Sequence, residues 1–292
     1  MKICRHSEST DAPLASPTSR RELLQLAVAA ACWPLLAAAQ ERAPELLPLR
    51  TTGLQHFGMQ VADVEVAGQF YGRLFSPTLT KEAEPPLRYY VKLGSDSIAI
   101  GGANGRPSRI DHYCALIEDY RPPAMIERLR AEGLTVGNQG LVGDPDGLRL
   151  QLLGMNESVS SLPAEALVSR RPSVRITDEG PVVTPIALER VVLMVSDLER
   201  ALPFYRLFFG AESRRDPDGV WFQLADTRLG VLTAPSGEPP RIDHYCVNVA
   251  PFDRDTVAAK LTALGATLVA SDDAHELHFM DRDGIHVVLR AA

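Results

Sequence analysis

The sequence predicts an α+β protein made of two tandem copies of one domain, each copy a pair of β-α-β-β-β modules. Three observations carry this. The hexapeptide Arg109-Ile110-Asp111-His112-Tyr113-Cys114 recurs unchanged as Arg241-Ile242-Asp243-His244-Tyr245-Cys246, 132 positions later. The flanking segments recur in the same order: Leu54 to Tyr71 matches Leu188 to Tyr205, and Asp144-Pro145-Asp146-Gly147 matches Asp281-Arg282-Asp283-Gly284. Within each copy the apolar period alternates between that of a strand and that of a helix. Ordered segments repeating at a fixed offset indicate duplication of a whole domain. The expected domains are 51–155 and 185–292. The stretch 156–184 has serines, prolines and mixed charge without a sustained apolar period, so it reads as a linker.

The elements follow in order. Leu54 to Val61 is a strand-like run. Asp63 is placed to cap a helix whose Ala67, Phe70, Tyr71 and Leu74 fall at i, i+3, i+4 and i+7 on one face. The second copy has Asp197 followed by Ala201, Phe204, Tyr205 and Phe208. Strands are expected at Arg88 to Leu93 and Ser97 to Ile100. The second module begins with a strand at His112 to Ile117 and a helix at Pro123 to Ala131 stopped by Gly133. Strands around Leu134 to Val142 and at Leu148 to Leu153 complete the first copy. The second copy ends the same way, with a helix closed by Gly265 and a strand at His286 to Leu289. One further strand per module is expected in the short runs.

Hydrophobic residues make up 45% of the 292, as in a globular protein. The net charge of −7 provides no basic surface for a polyphosphate, so nucleic acid is not expected as a partner. Residues 1–39 read as an export address: Lys2, Arg5, Arg20 and Arg21 precede the apolar run Leu23 to Ala39, which closes on Ala37-Ala38-Ala39. Within it, Ser19-Arg20-Arg21-Glu22-Leu23-Leu24 resembles a twin-arginine export motif. The expectation is therefore a periplasmic or secreted protein with no stable membrane insertion after cleavage, an uncleaved anchor being the alternative. Removing those residues would leave 26 basic against 34 acidic residues and, of the four cysteines, only Cys114 and Cys246. Two cysteines at matching repeat positions do not make a disulfide framework.

These motifs resemble the vicinal oxygen chelate superfamily: an apolar strand, Asp, a helix with Phe-Tyr, then a His-Tyr strand, then Asp-Pro-Asp-Gly (Asp-Arg-Asp-Gly in the second copy) before a last strand. That superfamily includes glyoxalases, extradiol dioxygenases, fosfomycin-resistance thiol transferases and bleomycin-binding proteins. The resemblance covers nearly the whole chain after the leader. It implies two glyoxalase-like domains, each a curved, cup-shaped sheet able to hold a divalent metal. The implied ligands are a His on the first strand, a His on the matching strand of the second module, and a Glu four residues after the turn glycine.

In the first domain those positions are His56, His112 and Gln151. Two neutral imidazoles suit Fe, Mn, Ni, Co or Zn, and the amide oxygen of Gln151 would leave the ion more of its charge than a carboxylate would. In the second domain they are Arg190, His244 and Val288, which cannot supply the standard set. A displaced site there would have to draw on His286 or His278. By strand alternation Gln60 shares a face with His56, and Cys114 shares one with His112, so both are candidate substrate contacts. Arg190 and His244 are candidate substrate contacts in the second domain, Arg190 receiving an anion or pairing with an acid such as Asp243. The Asp-x-Asp-Gly segments read as turns rather than calcium loops.

The expected function is divalent-metal-dependent chemistry on a small substrate with vicinal oxygens, of extradiol-dioxygenase or glyoxalase type, with the metal in the first domain. The alternative is a metal-free small-molecule-binding protein of the bleomycin-resistance type. Self-association into a homo-oligomer stays open.

Overall fold

The structure, a computed structural model, describes residues 45–82, 86–155 and 172–292. The expected export signal and residues 156–171 of the expected linker lie outside these. Among the described residues no helix is long and apolar enough to cross a membrane.

The first module runs β1 (Thr51–Val61), α1 (Val64–Phe75), β2 (Thr78–Glu82), β3 (Arg88–Leu93) and β4 (Asp96–Gly102). The second runs β5 (Arg109–Ile117), α2 (Pro122–Ala131), β6 (Leu141–Gly143) and β7 (Arg149–Gly154). After β8 (Ser173–Arg175), the third has β9 (Thr184–Val195), α3 (Leu198–Phe209), β10 (Arg214–Asp216), β11 (Gly219–Leu224) and β12 (Thr227–Thr233). The fourth has β13 (Arg241–Ala250), α4 (Arg254–Ala263), β14 (Thr267–Val269), β15 (Glu276–Met280) and β16 (His286–Ala291).

In every module the last strand lies parallel to the first, as β1 with β4, β5 with β7, β9 with β12 and β13 with β16. The two modules of each half then join through antiparallel first strands, β1 with β5 and β9 with β13. The first half therefore reads β2-β3-β4-β1-β5-β7-β6, and the second reads β10-β11-β12-β9-β13-β16-β15-β14. Ile110 of β5 pairs with Ile242 of β13, so the repeated hexapeptide lies where the halves meet. β8 adds to the edge at β2, so the tail of the expected linker is sheet.

The helix signals work as their chemistry requires. The Asp63 carboxylate accepts from the Glu65 and Val66 N–H groups, and the Asp197 carboxylate accepts from that of Arg200, satisfying donors the first turn leaves free. Ala67, Phe70, Tyr71 and Leu74 are buried, as are Ala201, Phe204, Tyr205 and Phe208. Gly133 and Gly265 take φ of +76° and +89° just after α2 and α4, the left-handed geometry that ends a helix.

The strand expected over Leu134 to Val142 is different. Only β6 forms, because Asn138–Gly140 turns as a 3-10 segment with Gln139 at φ 61° and Gly140 at φ 72°. This turn brings the Gln139 carbonyl against β7, where it serves the site below.

Candidate functional site

Adjacent strand residues normally face opposite sides of a sheet. Here four of the bulges in the paired first strands break that rule beside the histidines and Arg190. Between the pairs Leu54–Ala115 and His56–Cys114 the extra residue is Gln55, and between Gly58–His112 and Met59–Ile110 it is Asp111. The second half repeats both bulges, with Glu189 before Arg190 and Asp243 before His244. A bulge re-aims its side chain, so each extra polar residue reaches the side chain that follows it. Gln55 Oε1 meets His56 Nδ1 at 2.6 Å, and Asp111 Oδ2 meets His112 Nδ1 at 3.0 Å.

In the first half these pairs open onto a cavity of about 580 Å³. His56, His112 and Gln151 all line it, from β1, β5 and β7. His56 Nε2 is 2.9 Å from Gln151 Oε1, and the His56 and His112 rings stand edge to face at 5.6 Å. Gly58 makes this arrangement fit, because a Cβ there would collide with the His112 ring lying across β1. Gln151 is oriented by its own Nε2, which donates to the Gln139 carbonyl at 2.9 Å. Arg88, Tyr90, Tyr120, Ile126 and Val136 complete a wall that is partly apolar and partly polar.

The protonation of His56 bears on what this donor set can hold. Burial lowers its pKa to about 3, helped by the neighbouring His112, so the ring is neutral near pH 7 and carries one proton. Both of its nitrogens nevertheless face an amide oxygen. If the proton goes to Gln55, two lone pairs oppose each other at Nε2 and Gln151 Oε1, a contact that a shared cation relieves. The network closes without an ion only when the Gln55 amide is turned so that its nitrogen faces Nδ1. On the other side, committing His112 Nδ1–H to the Asp111 carboxylate leaves Nε2 with its lone pair. Carboxylates orient ligand histidines in this way. Burial alone would raise Asp111, but His112 and Arg149 hold it below the usual carboxylate range. Two imidazoles and an amide oxygen form a donor set that fits first-row divalent ions.

The other residues singled out from the sequence fall elsewhere. Gln60 is not part of the cavity wall; its amide oxygen accepts from Arg106 at 3.3 Å. Cys114 is 0% exposed, and burial pushes its thiol well up, so it is a core residue and not a substrate contact. Arg190 is 7% exposed and clamps Glu276, its Nη1 and Nη2 each donating at 2.9 Å. Its partners are therefore Glu276 and Glu189 and not Asp243, and the guanidinium is not presented to an anion. His244 is held by Asp243 Oδ2 at 2.9 Å, and Val288 is buried. Val192 stands opposite His244 where Gly58 stands opposite His112, so the second half has no room for a ring across β9.

Gln55, Asp111 and Gln139 are residues orienting the site that sequence reading overlooked. A signal for Gln55 was present. Gln55-His56, Asp111-His112, Glu189-Arg190 and Asp243-His244 are all adjacent polar pairs inside apolar strands, and such pairs violate alternation and so mark bulges. Gln139 contributes only a carbonyl, which no side-chain pattern announces.

No protein-family model and no curated protein sequence matches the chain. Solved structures do. The Mn(II)-bound glyoxalase from Novosphingobium aromaticivorans matches with a TM-score of 0.61 at 16% identity, over 83% of this chain and 83% of that one. A catechol 2,3-dioxygenase matches with a TM-score of 0.59 at 14% identity, over 84% of this chain and 89% of that one. The 2,2',3-trihydroxybiphenyl 1,2-dioxygenase from dibenzofuran-degrading Sphingomonas wittichii matches with a TM-score of 0.56 at 16% identity, over 83% and 91%. At such identities the likeness establishes the fold, not the reaction.

Proposed function

Starting from the fold shared with glyoxalases and extradiol dioxygenases, the vicinal oxygen chelate fold, we propose that the first cup holds a divalent first-row metal through His56, His112 and Gln151 and acts on a small substrate with two neighbouring oxygens. The observation that carries this is the approach of the neutral His56 Nε2 to Gln151 Oε1 at 2.9 Å beside His112. When bound, the ion supplies Lewis acidity that stabilises an enolate-like or catecholate-like oxygen as charge develops.

The chain's own residues supply the rest. The Gln55 and Asp111 side chains fix the tautomer and tilt of the two imidazoles. A neutral Gln151 in place of a carboxylate leaves the site one negative charge poorer, which favours an anionic oxygen donor from the substrate. Tyr90 and Arg88, both facing Glu82, form the polar wall, and Ile126 and Val136 form the apolar one, a combination suited to an aromatic or thioether body with an oxygenated end. A cavity of about 580 Å³ accommodates a molecule of that size.

A chelator-stripped protein titrated with Mn2+ or Fe2+ tests the assignment. One equivalent should bind in the first cup, His56→Ala should abolish that equivalent, and Gln151→Glu should tighten it about tenfold or more. A loaded protein is then screened against catechols and thiol adducts. Binding unaffected by either substitution contradicts the assignment.

A second reading rests on the Gln55 amide, which when turned over satisfies the His56 network with no ion. It makes the cup a binding site for an apolar compound, and it predicts ligand-dependent melting in the metal-free protein. Melting that is unchanged across a panel of apolar compounds counts against it. Either activity belongs, on our reading, to an exported protein: the amino terminus of the protein recovered outside the cytoplasm should begin after Ala39.

A further inference from the structure

The second cup contains three histidines that the standard ligand positions do not use as a set. His244 lies on β13, His286 beside it on β16 and His278 on β15. Their ring centroids are 4.9 Å apart for His244 and His286, 5.3 Å for His278 and His286, and 6.3 Å for His244 and His278. Each ring has one nitrogen turned to a carboxylate. Asp243 Oδ2 takes His244 Nδ1 at 2.9 Å and lies 3.7 Å from His286 Nδ1, while Glu276 Oε2 takes His278 Nε2 at 3.0 Å. Glu276 is in turn clamped by Arg190, and Asp243 accepts from Arg241.

The carboxylates orient the rings from the outside of the cluster, as they do for ligand histidines. His278 Nδ1 and His286 Nε2 face each other at 3.1 Å, close to the separation of two nitrogens bound to one tetrahedral ion. Three imidazoles bound through nitrogens about 2.0–2.1 Å from a tetrahedral ion sit with centroids roughly 5 Å apart, close to the spacings here. Asp243, His244 and His286, a set with the aspartate in place of His278, offer ligand atoms that lie within 4.8 Å of one another. The first cup lacks this set, having Arg149 opposite His112 where His286 stands opposite His244, and Leu141 opposite Gln151 where His278 stands opposite Val288.

We propose that His244, His278 and His286 form a second, displaced metal site that takes one divalent ion of the zinc, cobalt or nickel type. Three imidazoles leave a fourth position for water or a small oxygen ligand. The glutamate clamped by Arg190 is the orienting partner of His278, which gives the buried Arg190–Glu276 pair a purpose in the site. The inference is independent of any metal in the first cup.

Cobalt(II) titration of the stripped protein lacking residues 1–39 tests it, read by the visible d–d absorption of a tetrahedral ion. A His56→Ala background removes the first-cup ligand. One equivalent should give the tetrahedral spectrum in that background. His286→Arg should weaken it by about 100-fold or more, and Arg149 shows that the fold accepts arginine at this position beside the aspartate. His278→Leu, which copies the leucine that the first cup carries at Leu141, should do the same, so the test stands if either variant fails to fold. A folded His56→Ala protein without the tetrahedral signal overturns the proposal, as does a signal that survives both substitutions.

Discussion

Tyr71 in the first half donates its hydroxyl proton to Asp281 in the second, at 2.7 Å and fully buried. The reciprocal bond runs from Tyr205 to Asp144 at 2.6 Å. These are the Phe-Tyr and Asp-x-Asp-Gly motifs recognised in the sequence, and each motif finds its partner in the other copy. Each aspartate's other oxygen closes its own turn, Asp281 Oδ1 accepting from the Asp283 and Ile285 N–H groups and Asp144 Oδ1 from those of Asp146 and Leu148. The outer aspartates reach across as well, Asp146 to Ser196 and Asp283 to Ala62 and Ser108. The duplicated turns are therefore the clasp between the halves.

The clasp predicts that the halves unfold together. Tyr71→Phe leaves a buried carboxylate oxygen without its donor and should cost about 1–3 kcal/mol, measured as a shift in urea midpoint with a single transition. Two separated transitions in the parent protein, or no loss in the variant, would contradict this role.

Asp96 predicts a pH dependence. Burial raises its carboxyl from 3.8 to about 6, only partly offset by the Leu188 N–H at 3.0 Å and by Ser95. The folded state thus binds a proton more tightly than the unfolded chain, so this group's contribution to stability falls as pH rises from about 4 to about 6 and stays lost above. Asp96→Asn should remove that slope, which one proton limits to about 1.4 kcal/mol per pH unit. Identical profiles for parent and variant across that range would rule the effect out.

Gly58 predicts a selective loss. Gly58→Val, the residue found at the matching position Val192, should displace the His112 ring and weaken metal binding in the first cup while leaving the cobalt signal of the second intact. Equal metal affinity in the variant would show that the ring does not need to cross β1.

Cys114 and Cys246 are buried, with thiols pushed well up by desolvation. In protein lacking residues 1–39 neither should react with a thiol reagent until urea unfolds the chain. Rapid labelling of the native protein would contradict the packing described.

The sequence made the fold legible because duplication printed every organising motif twice. Asp63 and Asp197 as caps and Phe70, Tyr71, Phe204 and Tyr205 as the buried helix faces followed from local chemistry alone. His56, His112 and Gln151 were legible through a resemblance, and the cavity does gather all three. What could not be read was bulging. Alternation put Gln60 and Cys114 beside the histidines, whereas an inserted residue on each first strand brings Gln55 and Asp111 there instead. Arg190 was read toward Asp243 because Glu276 lies 86 positions away on a strand whose register no local pattern reveals.

The most direct test of the first-cup site is a Mn2+ binding isotherm on stripped protein carrying His286→Arg, which silences the second cup. One site should remain, tightened about tenfold or more by Gln151→Glu and abolished by His56→Ala. A folded protein that binds no metal, or binds it equally well in all three forms, would contradict a metal held by His56, His112 and Gln151.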